Sequence, residues 1–125
     1  MKSASHPLLL VPFVLVSALI VLVEMDAPLF AAWNLVPIAI AYWVAHTGAK
    51  SRGLARVRHF LFATIACVVP TVFHVAWILD WDGIATGSST AGVAFFWIPL
   101  LAVLCASLAS FALWIFPMVA SLHRP

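Results

Sequence analysis

His74 is the side chain of this sequence with the greatest capacity for chemistry, because it lies inside the apolar run from Phe60 to Leu79. An imidazole can carry a proton, bind a metal or form hydrogen bonds near neutral pH. In hydrocarbon it needs a partner, since an unpaired polar group there is costly. We predict that His74 faces other helices and hydrogen-bonds Asn34 or, as second choice, Glu24. Proton transfer or metal binding beside Asp80 is the alternative.

Two further histidines, His46 and His59, lie at facing ends of neighbouring apolar runs. Histidines at one depth on adjacent helices can hold a haem axially. Haem b or a quinone is therefore an alternative cofactor, with His46, His59 and His74 as the candidate binding residues. The main expectation is no cofactor, because histidines that flank Lys and Arg at a membrane boundary are ordinary. No metal site is expected, because Cys67 and Cys105 do not have metal-ligand spacing, and no catalytic residue is predicted.

Composition places these residues in a membrane protein. Apolar residues make up 66% of the chain and charged residues 8%, whereas a soluble domain carries about 25% charged residues. So few charges cannot cover the surface of a soluble domain, and much of the surface must face lipid. The expected partners are membrane lipids and other integral membrane subunits or a second copy of the chain, and no nucleic acid.

Four apolar runs are predicted to form transmembrane helices, at about residues 7–24, 28–46, 60–80 and 91–120. A helix needs roughly 20 apolar residues to cross the hydrocarbon core. Helices are preferred over strands, because the runs do not alternate in polarity and lipid offers no hydrogen-bond partners to backbone groups. The expected fold is all-α, a single transmembrane domain over residues 1–125 made of two hairpins bent at internal prolines.

The charged residues divide completely between two sets of connections. The basic cluster between the second and third runs consists of Lys50, Arg52, Arg56 and Arg58, and the remaining cations are near the termini. The acids, in the other two connections, are Glu24, Asp26, Asp80 and Asp82. Connections rich in Lys and Arg stay cytoplasmic. We therefore predict an inner-membrane protein with both termini cytoplasmic and the basic cluster as its orientation signal.

The least apolar stretch is DWDGIATGSSTAG, from Asp80 to Gly92. Its glycines permit turn geometry, and Ser88, Ser89 or Thr90 is placed to cap the last helix. The stretch lacks the Gly-Lys-Ser/Thr ending of a phosphate-binding loop. Anion binding at the start of the last helix is the alternative, and the two acids argue against it. We predict a turn followed by a helix cap.

Small and polar residues also indicate how the helices contact one another. Asn34 is predicted to fix the packing of the second helix against the third by a hydrogen bond. A stripe of small residues on the last helix, Ala102, Ala106 and Ser110, allows close approach of another helix. Such a stripe serves packing within the chain or packing between two copies.

The segment TGSSTAGVAFFWIPL, at about residues 86–100, resembles small uncharacterised bacterial inner-membrane proteins. In those proteins a Ser-Ser-Thr-Ala element leads into a final helix that has a proline further along. The resemblance implies a similar membrane location, and it brings no known activity with it.

Three classes of function are consistent with the sequence. The first is an accessory, assembly or stabilising subunit of a larger membrane complex without a catalytic site, favoured by the minimal loops and the lack of a mid-membrane charge. The second is a membrane anchor subunit of a redox complex that binds haem or quinone through the histidines. The third is a small dimeric transporter. Its layout resembles that of small multidrug resistance transporters, but those carry a glutamate within helix 1, and here the first acid, Glu24, follows that run.

Overall fold

The computed structural model describes residues 7–87 and 91–122, and this part of the chain is helical without strands. The helices are α1 (Val11–Val23), α2 (Pro28–Lys50), α3 (Gly53–Ile78) and α4 (Ala94–Leu122). Single 3-10 turns lie at Pro7–Leu9, Trp81–Gly83 and Ala91–Val93. The prediction of an all-α chain with four helices is confirmed.

Three of these helices are long and apolar enough to cross a membrane, namely α2, α3 and α4. The remaining helix, α1, is also apolar but has only 13 residues. Its length is therefore about 20 Å, at 1.5 Å per residue. Large apolar side chains such as Leu15, Trp43 and Leu108 are exposed on the outside of the bundle. Such a surface suits lipid and not water, so the described helices are those of a membrane protein.

Several helix ends differ from the predicted ones. Helix α2 ends at Lys50 and not near residue 46, and α3 begins at Gly53 and not near residue 60. The basic cluster is therefore not a loop, because Arg56 and Arg58 lie on α3. Hydropathy located the apolar portion of each helix, but Ala, Leu, Lys and Arg are good helix formers and extend the helix beyond it.

The first and last helices also start later than predicted. Helix α1 begins at Val11 and not at residue 7, after a separate 3-10 turn, and Pro12 stands in its first turn, where proline is tolerated. Helix α4 begins at Ala94 and not at residue 91, again after a 3-10 turn. It continues through Pro99 and Pro117.

Helices α2 and α3 form the centre of the bundle, with α1 and α4 on either side. Each outer helix contacts both central ones, whereas α1 and α4 do not contact each other within the described residues. The core between the helices is rich in alanine. Its buried members include Ala41, Ala45, Ala63, Ala66 and Ala106. Small side chains let membrane helices approach closely, so dispersion contacts between backbones contribute to stability.

Helices α2 and α3 approach each other closely near the basic end. A Cβ atom placed on Gly48 would lie 2.5 Å from the Cβ of His59, which is closer than van der Waals contact allows. Gly48 is buried, and the adjacent Ala49 is exposed. The absence of a side chain at residue 48 thus permits the short connection through Ser51 and Arg52 to join two closely packed helices.

Candidate functional site

The polar residues buried in the described bundle meet at its acidic end. Glu24 directly follows α1, and its backbone N–H still donates to the Ile20 carbonyl at 3.0 Å, so the residue continues the helical turn. Asn34 lies on α2 and His74 on α3. The exposed fractions are 6% for Glu24 and 0% for both Asn34 and His74. These three residues form what we call the polar cluster.

His74 and Glu24 are paired directly. The His74 Nε2 atom lies 2.7 Å from Glu24 Oε1, and Nδ1 lies 2.7 Å from the Pro70 carbonyl oxygen. Because a carbonyl oxygen only accepts, Nδ1 must carry a hydrogen. His74 Nε2 then either donates to the Glu24 carboxylate as part of an imidazolium or accepts from a protonated carboxyl. In both forms one proton lies between Nε2 and Oε1, and the pair has no net charge.

Asn34 connects this pair to α4. Its Nδ2 atom lies 3.3 Å from Glu24 Oε2, 3.1 Å from the Phe30 carbonyl and 3.1 Å from the Phe95 carbonyl. All three neighbours are acceptors, so the amide must present its nitrogen to them. The Asn34 Oδ1 atom is buried and has no hydrogen-bond partner among the described residues.

Proline explains why α4 needs this donor. In an uninterrupted α-helix the Phe95 carbonyl would accept the N–H of residue 99, but Pro99 has no N–H. Lipid cannot supply a replacement donor, so the carbonyl must be satisfied by another helix. The Asn34 amide satisfies it. One residue earlier on α2, Trp33 Nε1 donates to the next carbonyl of α4, that of Phe96, at 2.9 Å.

Aromatic rings cover the polar cluster on the α4 side. The Phe95 ring packs edge-on against the His74 ring with centroids 5.1 Å apart, and against the Trp77 ring with centroids 4.7 Å apart. Edge-to-face pairs of this kind are favourable and directional. Phe95 is itself buried, so it excludes water from this side of the imidazole and holds the ring in place.

We compared the chain with protein-family models, curated proteins and solved structures. None of them matches it.

The observed hydrogen bonds of the polar residues agree only in part with the predicted ones. His74 faces the bundle, and of its two predicted partners it contacts Glu24. Asn34, the first choice, bonds to Glu24 and to α4 instead. Asp80, predicted as the neighbour in a proton or metal site, binds the loop backbone. Glu24 was predicted only as the second choice and its bond to Asn34 was not predicted, because an acid at the end of an apolar run has the sequence pattern of a loop residue.

The other two candidate histidines lie toward the opposite end of the bundle. His59 packs against Gly48, and its Nδ1 atom contacts the Ala55 carbonyl. The His46 ring lies 6.1 Å from the Tyr42 ring, measured between centroids. No group of three or more His, Cys, Asp or Glu side chains suited to a metal ion exists within the described residues.

The predicted small-residue stripe on α4 lies partly inside the bundle. Ala102 and Ala106 are fully buried, and Ser110 is half-buried. Since α4 contacts α2 and α3, the stripe serves packing within the chain at its first two positions.

The stretch that begins at Asp80 is organised by that carboxylate. Asp80 Oδ1 accepts the N–H groups of Ala85 and Thr86 at 2.8 and 3.2 Å, and Oδ2 accepts the Thr86 hydroxyl at 2.6 Å. Backbone φ is positive at Asp80, Asp82 and Gly83, as tight turns require. The predicted turn is present, and the predicted caps Ser88, Ser89 and Thr90 lie outside the described residues.

These hydrogen bonds lower the pKa of the Asp80 carboxyl from its ordinary value of 3.8, with the Thr86 hydroxyl as the largest cause and the Ala85 N–H next. A carboxyl with a lowered folded-state pKa stabilises the fold above its ordinary pKa. That contribution is lost as the pH falls through the lowered pKa. The loop should thus keep its hydrogen bonds through neutral and mildly acidic pH.

We expect Asp80→Gly to speed amide hydrogen exchange at Ala85 and Thr86, because their acceptor is removed. Glycine adopts positive φ without strain, so the change tests the carboxylate alone. Asp82→Gly is the matched control, since Asp82 also has positive φ and its carboxylate lies in the same turn. Faster exchange of equal size in both variants would contradict the assigned role of Asp80.

Proposed function

We propose that the chain is an inner-membrane protein with four transmembrane helices and both termini in the cytoplasm. The Pro7–Leu9 turn together with α1 would form the shortest span. The proposal is supported by the positions of the charges, because the basic cluster lies at the α2–α3 connection and the four acids at the opposite end of these helices. Connections rich in Lys and Arg are retained in the cytoplasm.

Single cysteines introduced at Met25 and Ala49 test this orientation. Both residues are exposed and lie at opposite ends of α2. In a chain whose Cys67 and Cys105 are replaced by alanine, we expect a membrane-impermeant maleimide to label Met25→Cys in intact cells. Ala49→Cys should be labelled only after the membrane is opened. The reverse pattern would contradict the orientation.

We infer that the protein acts as an accessory, assembly or stabilising subunit of a larger membrane complex and has no catalytic site of its own. The observation that carries this proposal is that the hydrogen-bonding atoms of the polar cluster, apart from Asn34 Oδ1, are paired within the chain. Both Glu24 oxygens, both His74 ring nitrogens and the Asn34 amide nitrogen find partners inside the chain. Groups paired in this way fix helix packing, and they are not poised to attack a substrate.

The exposed face of α4 is the surface most suited to a partner subunit. Beyond its contacts with α2 and α3, this helix exposes a row of large apolar side chains. The row consists of Leu101, Leu104, Leu108, Phe111 and Ile115. Packing of such a face against a second transmembrane helix gains dispersion contacts that fluid lipid chains supply less well.

A photo-crosslinking amino acid at Leu108 tests the subunit proposal at native expression level. We expect crosslinks from Leu108 to one integral membrane protein of a different sequence, identified by mass spectrometry. The matched position is Leu15 on α1, which is also exposed and apolar and should crosslink mainly to lipid. Crosslinks to lipid alone from both positions would contradict the proposal.

The transporter alternative gains one observation from the structure. Glu24 was set aside because it follows the first apolar run, yet it is buried and paired inside the bundle. A buried acid at the end of α1 is the feature that this alternative requires. Crosslinking of Leu108 to a second copy of the chain would favour it.

The haem alternative gains no such support. The contact between Gly48 and His59 leaves no gap for a macrocycle between α2 and α3 at that depth. Both ring nitrogens of His74 are engaged by Pro70 and Glu24. A haem or quinone site would therefore have to use the outer surfaces of His46 and His59.

A further inference from the structure

A cavity of about 390 Å³ lies beside the polar cluster at the acidic end of the bundle. Its wall is formed by the connection between α1 and α2, the end of α3 and the beginning of α4. Glu24 and Asp26 contribute carboxyl groups, and Phe30, Trp77 and Phe95 contribute aromatic rings. The volume falls in the range of small-molecule sites, about 300–1,000 Å³.

The two carboxyl groups of this cavity differ in burial and in charge. Glu24 is buried, and a carboxylate offers about four lone-pair positions. His74 and Asn34 each engage one Glu24 oxygen, so acceptor capacity remains on a residue that lines the cavity. Asp26 is exposed at the same wall. The Glu24–His74 pair has no net charge, and no Lys or Arg is among the residues described as lining the cavity, so the cavity wall carries the negative charge of Asp26.

Two of the three aromatic rings, those of Trp77 and Phe95, are held by edge-on contacts. Trp77 packs edge-on against Phe95, and Phe95 packs edge-on against His74. Aromatic faces attract cations, most strongly when the cation is an ammonium group that has lost part of its water. A cavity that combines carboxylates with fixed aromatic rings therefore matches one chemical class of ligand.

We propose that this cavity binds a small organic ammonium ion. The positive nitrogen would lie near Glu24 and Asp26, and the apolar part of the ligand would contact the Trp77 and Phe95 rings. An anion would be repelled by the Asp26 carboxylate. A neutral apolar molecule would gain the ring contacts but would leave the carboxyl groups desolvated without a partner. The site is independent of the proposed partner subunit, so either proposal can fail without the other.

Benzyltrimethylammonium is a suitable probe, because it combines a permanent positive charge with an aryl group. We expect equilibrium dialysis against the purified full chain in a non-ionic detergent to show saturable binding. Benzoate, which has a similar aryl group and the opposite charge, should not bind. Protein-free micelles of the same detergent correct for partitioning of either probe.

Asp26→Asn tests the location of the site without touching the polar cluster. We expect it to weaken binding by about tenfold or more, which corresponds to 1.4 kcal/mol. Asp82→Asn removes the same charge from the other acidic connection, outside the cavity wall, and should leave binding unchanged. Trp77→Leu should also weaken binding, because it removes the ring.

Three outcomes would overturn the proposal. The first is no saturable binding of benzyltrimethylammonium, and the second is equal binding of benzoate. The third is an equal loss of binding in Asp26→Asn and Asp82→Asn, which would show attraction to surface charge in general. If Trp77→Leu fails to fold, the comparison of the two aspartate variants still decides the result.

Discussion

Replacing Glu24 with leucine is expected to lower the free energy of unfolding in detergent by about 1–3 kcal/mol, the cost of leaving a buried polar group unsatisfied. The change removes the acceptor or donor opposite His74 Nε2 and one acceptor of the Asn34 amide. The His74 ring would then be buried among apolar residues with one nitrogen unpaired. Chemical unfolding followed by tryptophan fluorescence measures the loss.

The double variant Glu24→Leu/His74→Leu shows whether the loss arises from the pair. Replacement of both members of a buried pair by apolar residues is often neutral or even stabilising. We therefore expect the double variant to be more stable than the sum of the two single losses predicts, because residues in contact are not additive. Glu24→Gln is the conservative control, since a glutamine can still hydrogen-bond His74. Strict additivity of the two leucine changes would contradict direct pairing.

Asn34→Asp should have a still larger effect, although the two side chains have nearly the same shape. The asparagine nitrogen faces three acceptors, the Glu24 carboxyl oxygen and the carbonyls of Phe30 and Phe95. A carboxylate there would bring a negative charge against all three and remove the donor to Phe95. An uncompensated buried charge costs about 3–5 kcal/mol, so we expect little folded protein at neutral pH.

Acidic pH should partly restore the folded state of this variant, because a protonated carboxyl has one O–H donor. Size-exclusion profiles in detergent at neutral and acidic pH measure the folded fraction. Asn34→Ser serves as the control, as it loses donors without adding charge and should be less harmful. A stable Asn34→Asp protein at neutral pH would mean that the residue does not face these acceptors.

Sequence reasoning was sufficient for the features that depend on local composition. The four apolar runs each correspond to a described helix, because continuous apolar residues in lipid can satisfy their backbone only as helices. The start of α3 was misplaced because Arg56, Arg58 and His59 interrupt the apolar pattern, although the segment from Gly53 onward is helical. Hydropathy marks the membrane-embedded part of a helix, and helix propensity decides where the helix ends.

The polar cluster was predictable in part only, because it depends on contacts between distant residues. His74 and Asn34 attracted attention as polar residues within apolar runs. Glu24 was only the second choice of partner for His74, since its burial depends on the turn that follows α1 and on the position of α3, 50 residues away in sequence. To predict the bond from Asn34 to the Phe95 carbonyl, one must also notice that Pro99 has no N–H to donate to that carbonyl.

The central claim is that the buried Glu24–His74 pair holds one proton and keeps Nδ1 of His74 protonated. Nitrogen-15 NMR of the histidine side chains tests it directly, with a His74→Gln variant to assign the signal among the five histidines. We predict a protonated Nδ1 and an Nε2 shift typical of a strong hydrogen bond at neutral pH. An unprotonated Nδ1, with the hydrogen on Nε2 alone, would contradict the claim.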